Sequence, residues 1–305
     1  MTMADLTPVT LRDPSSALSA VYVPGAGMLA TSLSDGGTEL LGQRRGLDAY
    51  VSAGKTMGIP LLYPWANRLS AKTYDVDGET VTLARDAYGM RPDNNGLPIH
   101  GLLAAYPGWR AQQVSAQKLT AELDFGAHEE LRESFPFPHL IELTVELSDR
   151  TLAVSTTVTP TSDMAVPLVY GYHPYLQLPD VPRPEWHIEM VQMRHLILDA
   201  TGIPTGASAD WPATAEPLGD KVFDDGFDQV ADGAVFAVSG GERRLEVRFE
   251  QGYPAAQVFA PAGETVICFE PMTAPTDALR RGGYRSAQPG EPDTAVFSIK
   301  VGKAS

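Results

Sequence analysis

Short runs rich in β-branched residues, separated by glycine and proline, recur along this chain and leave little room for long helices. The 305 residues include 28 glycines and 25 prolines, spread from end to end, and both residue types interrupt regular structure. The clearest run, residues 140–147, alternates in part between apolar and polar side chains, which is typical of a strand with one buried face. Residues 148–150 (SDR) then predict a turn into a second run, 152–158.

Many short strands with frequent turns indicate an all-β fold, either a sandwich or a barrel. Only a few short helical pieces are predicted, for instance around 128–132 and 275–280. No internal repeat or domain linker is evident, and the proline-rich residues 178–184 are interpreted as a surface loop. The whole chain, 1–305, is therefore predicted to form one domain. The predicted strands are 18–23, 80–83, 118–125, 140–147, 152–158, 234–238, 244–249, 256–259, 266–269 and 295–301.

Charge and composition exclude several classes of function. The net charge of −15, from 23 basic and 38 acidic residues, disfavours binding to nucleic acid or to an anionic membrane. No run approaches the roughly 20 apolar residues that cross a bilayer, and residues 1–10 lack the apolar core of a signal peptide. The single cysteine, Cys268, lies in a strand-like run and is predicted to be a buried, inert thiol. We therefore expect a cytoplasmic protein.

Two motifs in the first third of the chain carry polar side chains suited to ligand binding. Residues 58–68 (GIPLLYPWANR) contain two prolines that favour extended backbone and end in Asn67 and Arg68. A guanidinium presents a rigid fork of donors, so Arg68 is either a solvated charge or a group that grips a hydroxylated ligand. Residues 97–101 (LPIHG) place His100 before a glycine, which fits a turn histidine or a binding residue.

Two further motifs carry the groups most suited to proton transfer. His173 lies in GYHPY, residues 171–175, and histidine is the side chain that titrates most readily near neutral pH. Glu270 follows an apolar run and precedes a proline in CFEPMTAP, residues 268–275. A carboxylate at the end of a buried strand is costly unless it is paired or functional. The structural alternatives are a core histidine with one hydrogen bond and a glutamate in a salt bridge.

In this order, and over most of the chain, the four motifs resemble those of the aldose 1-epimerases, the galactose mutarotase family. That family shows a G-x-P-x-x-aromatic-P-x-x-N-R run, an H-G pair, a G-x-H-P-Y run and an E-P-x-T run. The resemblance implies a large antiparallel β-sandwich with a few short helices, in agreement with the strand pattern. It also implies an isomerase that interconverts the α and β anomers of a free aldohexose such as glucose or galactose.

The resemblance implies a role for each matching residue. His173 corresponds to the general acid and Glu270 to the general base. Arg68 and His100 correspond to groups that bind the sugar hydroxyls and the region of the ring oxygen, and Asn67 is expected to bind substrate beside them. Thr159-Pro160 replaces a frequent asparagine of the family, and Leu176 a frequent aromatic, which leaves the particular sugar open.

The family also has an aspartate, in a D-x-x-F context, that holds sugar hydroxyls. Asp224 fits this pattern, but Asp225 and Asp228 crowd the same segment, which is interpreted as a loop. The sequence does not decide whether Asp224 or Asp225 faces the substrate. An acidic solvent-exposed loop and a cation-binding turn are the alternatives.

The implied chemistry calls for no cofactor or metal, because ring opening needs only a base at the C1 hydroxyl and an acid at the ring oxygen. The sequence shows neither a glycine-rich phosphate loop that opens a helix nor a zinc-type histidine pair. The expected partner is a free aldose, bound by a monomer or homodimer. No nucleic-acid or membrane partner is expected.

Three alternatives remain. A hexose-6-phosphate mutarotase would need a basic cluster, which Arg280, Arg281 and Arg285 are candidates to supply. The PWANR segment, residues 64–68, instead favours the branch that acts on free sugars. A glycoside hydrolase would use two carboxylates, for which Asp224 and Glu270 are candidates. A non-catalytic sugar-binding module would need no histidine and glutamate pair.

Overall fold

The computed structural model describes residues 5–76 and 78–304. Within these ranges the chain forms 25 strands, three short α-helices and three 3₁₀-helical turns. The strands β1–β25 are, in order, Val9–Arg12, Leu18–Val23, Leu29–Asp35, Thr38–Glu39, Leu61–Leu62, Thr73–Val76, Glu79–Thr82, Arg110–Gln113, Lys118–Asp124, His139–Ser148, Thr151–Pro160, Val166–Leu168, Gly171–Tyr172, Tyr175–Leu176, His187–Met190, Met193–Leu198, Pro204–Trp211, Thr214–Pro217, Phe223–Asp228, Ala234–Gly240, Arg243–Gln251, Ala255–Ala260, Ile267–Met272, Arg285–Ala287 and Asp293–Lys303. The helices α1–α3 are Gly46–Ala53, Glu129–Arg132 and Ala278–Arg281, and the 3₁₀ turns are Pro24–Ala26, Phe125–Ala127 and Arg183–Glu185.

Two large antiparallel sheets dominate the fold. The first has nine strands in the order β18-β15-β20-β21-β25-β11-β10-β9-β8. The second has eight, in the order β17-β16-β19-β22-β23-β13-β5, with β14 also paired to β23. A four-stranded sheet, β1 to β4, and the two-stranded pairs β6-β7 and β12-β24 complete the described strands. The predicted all-β fold with few short helices is confirmed.

Aromatic side chains join the two large sheets face to face. Phe236 on β20 packs on Phe269 of β23, with ring centroids 5.5 Å apart. Tyr172 on β13 packs on Phe297 of β25, with centroids 4.8 Å apart. Aromatic pairs at such distances contribute about 0.5–1.5 kcal/mol beyond their buried area. These contacts fix the eight-stranded sheet, which carries the motifs of interest, against the nine-stranded one.

The alternation of side chains along a strand explains why the buried strand β23 carries polar groups. Phe269 points into the core between the sheets, so its neighbours Cys268 and Glu270 point to the opposite face of the sheet. Other segments cover that face, and Cys268 is fully buried, as predicted. Likewise Tyr172 packs into the core while His173 lies beyond the end of β13.

Two segments of the chain differ from the sequence-based expectations. Residues 46–53 form the helix α1, with Tyr50 buried and Gly54 as a left-handed C-cap. The acidic segment around Asp224 is not a loop but the strand β19, between β16 and β22.

Among the described residues, none of the helices has the length and apolar character of a membrane span.

Candidate active site

Strand register brings His173 and Glu270 together. The strands β13 and β14 both pair with β23, through Gly171 and Tyr175 respectively. Continuing the same antiparallel register across the gap between them places His173 directly opposite Glu270. The Nε2 atom of His173 lies 3.2 Å from Oε1 of Glu270. Two groups remote in sequence thus form one imidazole–carboxyl pair.

Burial controls the charge of this pair. The side chains of His173 and Glu270 are only 6% and 2% exposed, and burial disfavours the charged form of an ionisable group. Burial lowers the pKa of His173 well below its usual value, and the nearby His100 and Arg44 add to this effect. Burial also raises the pKa of Glu270 well above its usual value, with a further contribution from Asp224. The pair therefore favours a neutral imidazole beside a neutral carboxylic acid, which together hold one transferable proton.

Tyr175 fixes the imidazole in position. Its ring stacks on that of His173, with centroids 4.2 Å apart and an interplanar angle of 11°. Its hydroxyl lies 3.1 Å from His173 Nε2 and also hydrogen bonds to Thr56 Oγ1 at 2.6 Å. Arg44 donates a third hydrogen bond to the same hydroxyl at 2.9 Å. Tyr175 therefore orients His173, a contact that the sequence motif alone did not reveal.

Several polar atoms around the pair are buried without a protein partner. Among the described residues these include Nδ1 of His173, Oε2 of Glu270 and Nδ1 of His100. Most buried polar atoms in folded proteins have a hydrogen-bond partner, and leaving one unpaired costs about 1–3 kcal/mol. These atoms are where a hydroxylated ligand would complete the hydrogen bonding.

Arg68, Asn67 and His100 form a connected group next to the pair. The Nε atom of Arg68 donates to Asp93 at 2.8 Å, and its Nη1 donates to Oδ1 of Asn67 at 3.1 Å. The backbone N–H of His100 donates to the Asn67 carbonyl at 2.8 Å, and its ring contacts that of His173, with centroids 5.8 Å apart. Burial lowers the pKa of His100 to about 3, so this imidazole is neutral. Asn67 itself is buried.

A cleft of about 450 Å³ opens beside these residues, within the size range of small-molecule sites. His173 and Glu270 do not line it but lie one layer deeper. Thr56, Pro60 and His100 line the cleft and contact either His173 or the Tyr175 hydroxyl. The lining residues are Arg44, Arg45, Ala53, Gly54, Lys55, Thr56, Pro60, Leu62, Arg68, Arg91, Pro92, Asp93, Asn94, Asn95, Ile99, His100, Gly101 and Ala104.

Asp224 and Asp225 lie next to each other on strand β19 and therefore point to opposite faces of the sheet. Gln257 on β22 lies directly across from Glu270 and donates from Nε2 to Oδ1 of Asp224 at 2.7 Å. Asp224 therefore shares a sheet face with Glu270. Asp225 points to the other face, where its Oδ1 lies 2.9 Å from Nε2 of His195.

The arginines proposed from sequence as a phosphate site are engaged elsewhere. Arg280 donates to the Thr73 carbonyl at 2.6 Å. Arg281 pairs with Asp277 at 3.0 Å, and Arg285 pairs with Asp293. None of the three arginines lines the cleft.

Among residues 5–76 and 78–304, no group of three or more His, Cys, Asp or Glu side chains is arranged to hold a metal ion.

The fold is that of the galactose mutarotase-like proteins. A galactose mutarotase-like protein from Clostridium acetobutylicum is 17% identical and superposes with a TM-score of 0.81, over 98% of this chain and 99% of that one. The Slr1438 protein from Synechocystis sp. PCC 6803 is 21% identical, with a TM-score of 0.80 over 100% of this chain and 99% of its own. A putative aldose 1-epimerase from Escherichia coli K12 is 20% identical, with a TM-score of 0.77 over 98% of this chain and 99% of that one.

The family follows from the sequence itself. The profile of the aldose 1-epimerase family matches residues 8–300. The chain therefore belongs to the aldose 1-epimerase family, as the four motifs predicted, and is an isomerase of the epimerase class that acts on a sugar.

Proposed function

We propose that this protein interconverts the α and β anomers of an aldopyranose through His173 and Glu270. The observation that carries the proposal is the buried contact of 3.2 Å between the two side chains. A cyclic aldose is a hemiacetal, and its ring opens when the C1 hydroxyl loses a proton and the ring oxygen gains one. One base and one acid on neighbouring oxygens meet this requirement.

The proposed cycle uses the single proton held by the pair. Transfer of that proton from Glu270 to His173 gives a carboxylate and an imidazolium. The carboxylate removes the C1 hydroxyl proton while the imidazolium protonates the ring oxygen, and the C1–O bond to the ring breaks. Rotation about C1–C2 and closure on the other face of the aldehyde, with the two roles exchanged, give the other anomer. Each positioned group contributes about 10²–10⁴-fold to the rate.

The surrounding residues are proposed to orient the sugar. Arg68 and His100 line the cleft and are assigned to its hydroxyl groups, His100 as a neutral imidazole. Asp224 is assigned as an acceptor for sugar hydroxyls, because it is exposed and shares the sheet face of Glu270. Asn67 is assigned to hold the Arg68 guanidinium in place through its Oδ1 atom.

The contacts of Glu270 favour this chemistry over the alternatives. A glycoside hydrolase requires two carboxylates that flank the bond, yet the ionisable group in contact with Glu270 is His173, and Asp224 is held by Gln257. A binding module has no need of a buried pair with one transferable proton, since burying both groups opposes stability.

Exchange NMR of the anomeric protons tests the proposal directly. D-glucose, D-galactose and their 6-phosphates are each mixed with the protein at anomeric equilibrium, and an aryl glycoside, whose anomeric centre is fixed, is incubated with the protein separately. The expected result is an exchange rate, for at least one reducing sugar, that rises in proportion to the protein concentration. No acceleration with any sugar contradicts the proposal, and release of the aryl alcohol would identify a hydrolase instead.

Replacing Asp224 with asparagine is expected to raise KM for the accelerated sugar by about tenfold, because hydrogen bonds to a charged group are worth about 1.5–3 kcal/mol. Asp225→Asn is the matched control, because Asp225 lies on the same strand but on the opposite sheet face. Its KM is expected to stay within about twofold of wild type, as for most surface substitutions. Equal effects of the two substitutions on KM would remove Asp224 from the binding site.

A further inference from the structure

Positive charge collects in the cleft of this acidic protein. The chain has a net charge of −15, yet five of the residues that line the cleft are arginine or lysine and one is an aspartate. The cations are Arg44, Arg45, Lys55, Arg68 and Arg91. A cleft lined by one sign of charge raises the local concentration of ligands of the opposite sign.

Two of these cations are neutralised by the protein. Both Nε and Nη2 of Arg44 donate to the carboxylate of Glu264 at 2.8 Å, and Arg68 donates to Asp93 at 2.8 Å. The other three cations, Arg45, Lys55 and Arg91, have no ion pair with a carboxylate within residues 5–76 and 78–304. Three positive charges therefore remain available to a ligand.

Arg91 is held in place even though no carboxylate compensates its charge. Its Nη2 atom donates to the Ala104 carbonyl at 3.3 Å, while Nη1 is buried without a protein partner. Gly54 makes room for the guanidinium, because a Cβ atom at that position would lie 2.3 Å from Nη1. Buried cations are normally paired, and burial lowers the pKa of Arg91, although a guanidinium stays charged in proteins. Lys55 follows Gly54 directly in the sequence and is exposed.

We propose that the sugar bound here carries an anionic group away from C1, a phosphate ester or a carboxylate, which Arg91, Lys55 and Arg45 hold. The inference rests on the proposed function and names its class of substrate. A phosphate ester carries a charge of about −1.5 to −2 near pH 7 and complements three cations better than a carboxylate does. The substrate class thus differs from the free aldohexose that the PWANR segment favoured. The three cations line the cleft, whereas the arginines of residues 280–285, which the sequence offered as a phosphate site, do not.

Exchange NMR with three sugars at one ionic strength tests the inference. The probes are D-glucose, D-glucose 6-phosphate and D-glucuronate. The wild-type protein is expected to show kcat/KM for the phosphate at least about tenfold above that for glucose, as charge-assisted hydrogen bonds imply. Acceleration of both anions over glucose means that charge is recognised, and acceleration of the phosphate alone identifies the ester. Glucose favoured over both anions overturns the inference and leaves the proposed function intact. No acceleration of any sugar overturns both.

Substitutions in the cleft locate the recognition. Arg91→Gln and Lys55→Gln are each expected to lower the ratio of kcat/KM between glucose 6-phosphate and glucose by about 10–100-fold, mainly through KM for the phosphate. Lys55 is exposed, so its variant tests the inference even if Arg91→Gln does not fold. Lys300→Gln, at an exposed position on β25 in the other large sheet, is the control and is expected to leave the ratio unchanged. Unchanged ratios in both cleft variants contradict the inference.

Discussion

Replacing Glu270 with glutamine is expected to lower the rate of anomer exchange by about 10²–10⁴-fold, the usual contribution of a positioned acid or base. Glutamine has nearly the shape of glutamate and keeps a carbonyl oxygen near Nε2 of His173, but its amide neither takes nor releases a proton under these conditions. The substitution therefore removes the proposed base without opening a cavity. Exchange NMR measures the rate constant, and circular dichroism measures whether the fold persists.

The stability of the same variant separates a chemical role from a structural one. Burial raises the pKa of Glu270 above its usual value, so near pH 7 the unfolded state releases this proton more readily than the folded state does. The carboxyl group therefore lowers the free energy of unfolding at neutral pH, and this cost is absent below the unfolded-state pKa. Glu270→Gln is expected to unfold at the same temperature or a higher one at pH 7. A folded variant that retains full activity would show that Glu270 is not the base.

His173→Asn is expected to reduce exchange by a similar factor, about 10²–10⁴-fold. Asparagine leaves a polar group in place of the imidazole, but it is too short to keep the contacts that Nε2 makes with Tyr175 and Glu270, and its side chain cannot shuttle a proton. Since both groups act in one step, the double variant with Glu270→Gln is expected to be hardly slower than either single variant. The measurement is again the exchange rate of the anomeric protons, at saturating sugar.

His195→Asn is the matched control for that substitution. His195 is also a partly buried histidine beside a carboxylate, Asp225, but it lies on the opposite face of the eight-stranded sheet from Glu270. Its exchange rate is expected to equal that of the wild type. A comparable loss of exchange rate in the two histidine variants would contradict the assignment of His173. If the rate loss of the double variant of His173 and Glu270 equals the product of the two single losses, the two groups do not act as a concerted pair.

Sequence patterns located strands best where one face of the strand is buried and the other is not. The run 140–147 was predicted as a strand and lies within His139–Ser148, whose side chains alternate strictly between buried and less buried positions. The helix Gly46–Ala53 was missed because its eight residues are too few for the i, i+3, i+4 spacing of Leu47, Tyr50 and Val51 to repeat. Its readable signal was Gly54, a left-handed C-cap.

The site shows the same division between local and long-range information. The motifs singled out His173 and Glu270, but their contact depends on which strands pair with β23, and no local pattern encodes that pairing. The arginines of residues 280–285 were proposed as a phosphate site because they cluster in sequence, but Arg281 and Arg285 pair with nearby carboxylates and Arg280 donates to the Thr73 carbonyl. Arg91 and Lys55 were not predicted as site residues because they lie in separate loops and come together only in the folded cleft.

The way β13 and β14 share β23 has a consequence for how such a protein can diversify. Inserting or deleting one residue between Gly171 and Tyr175 would turn the imidazole to the wrong side of the sheet, because side-chain direction repeats every two residues. The unpaired cations of the cleft stand instead on loops and a helix end, where changes of length and composition are tolerated. Selectivity for new sugars can therefore evolve in the loops while strand register keeps the proton-transfer pair in place.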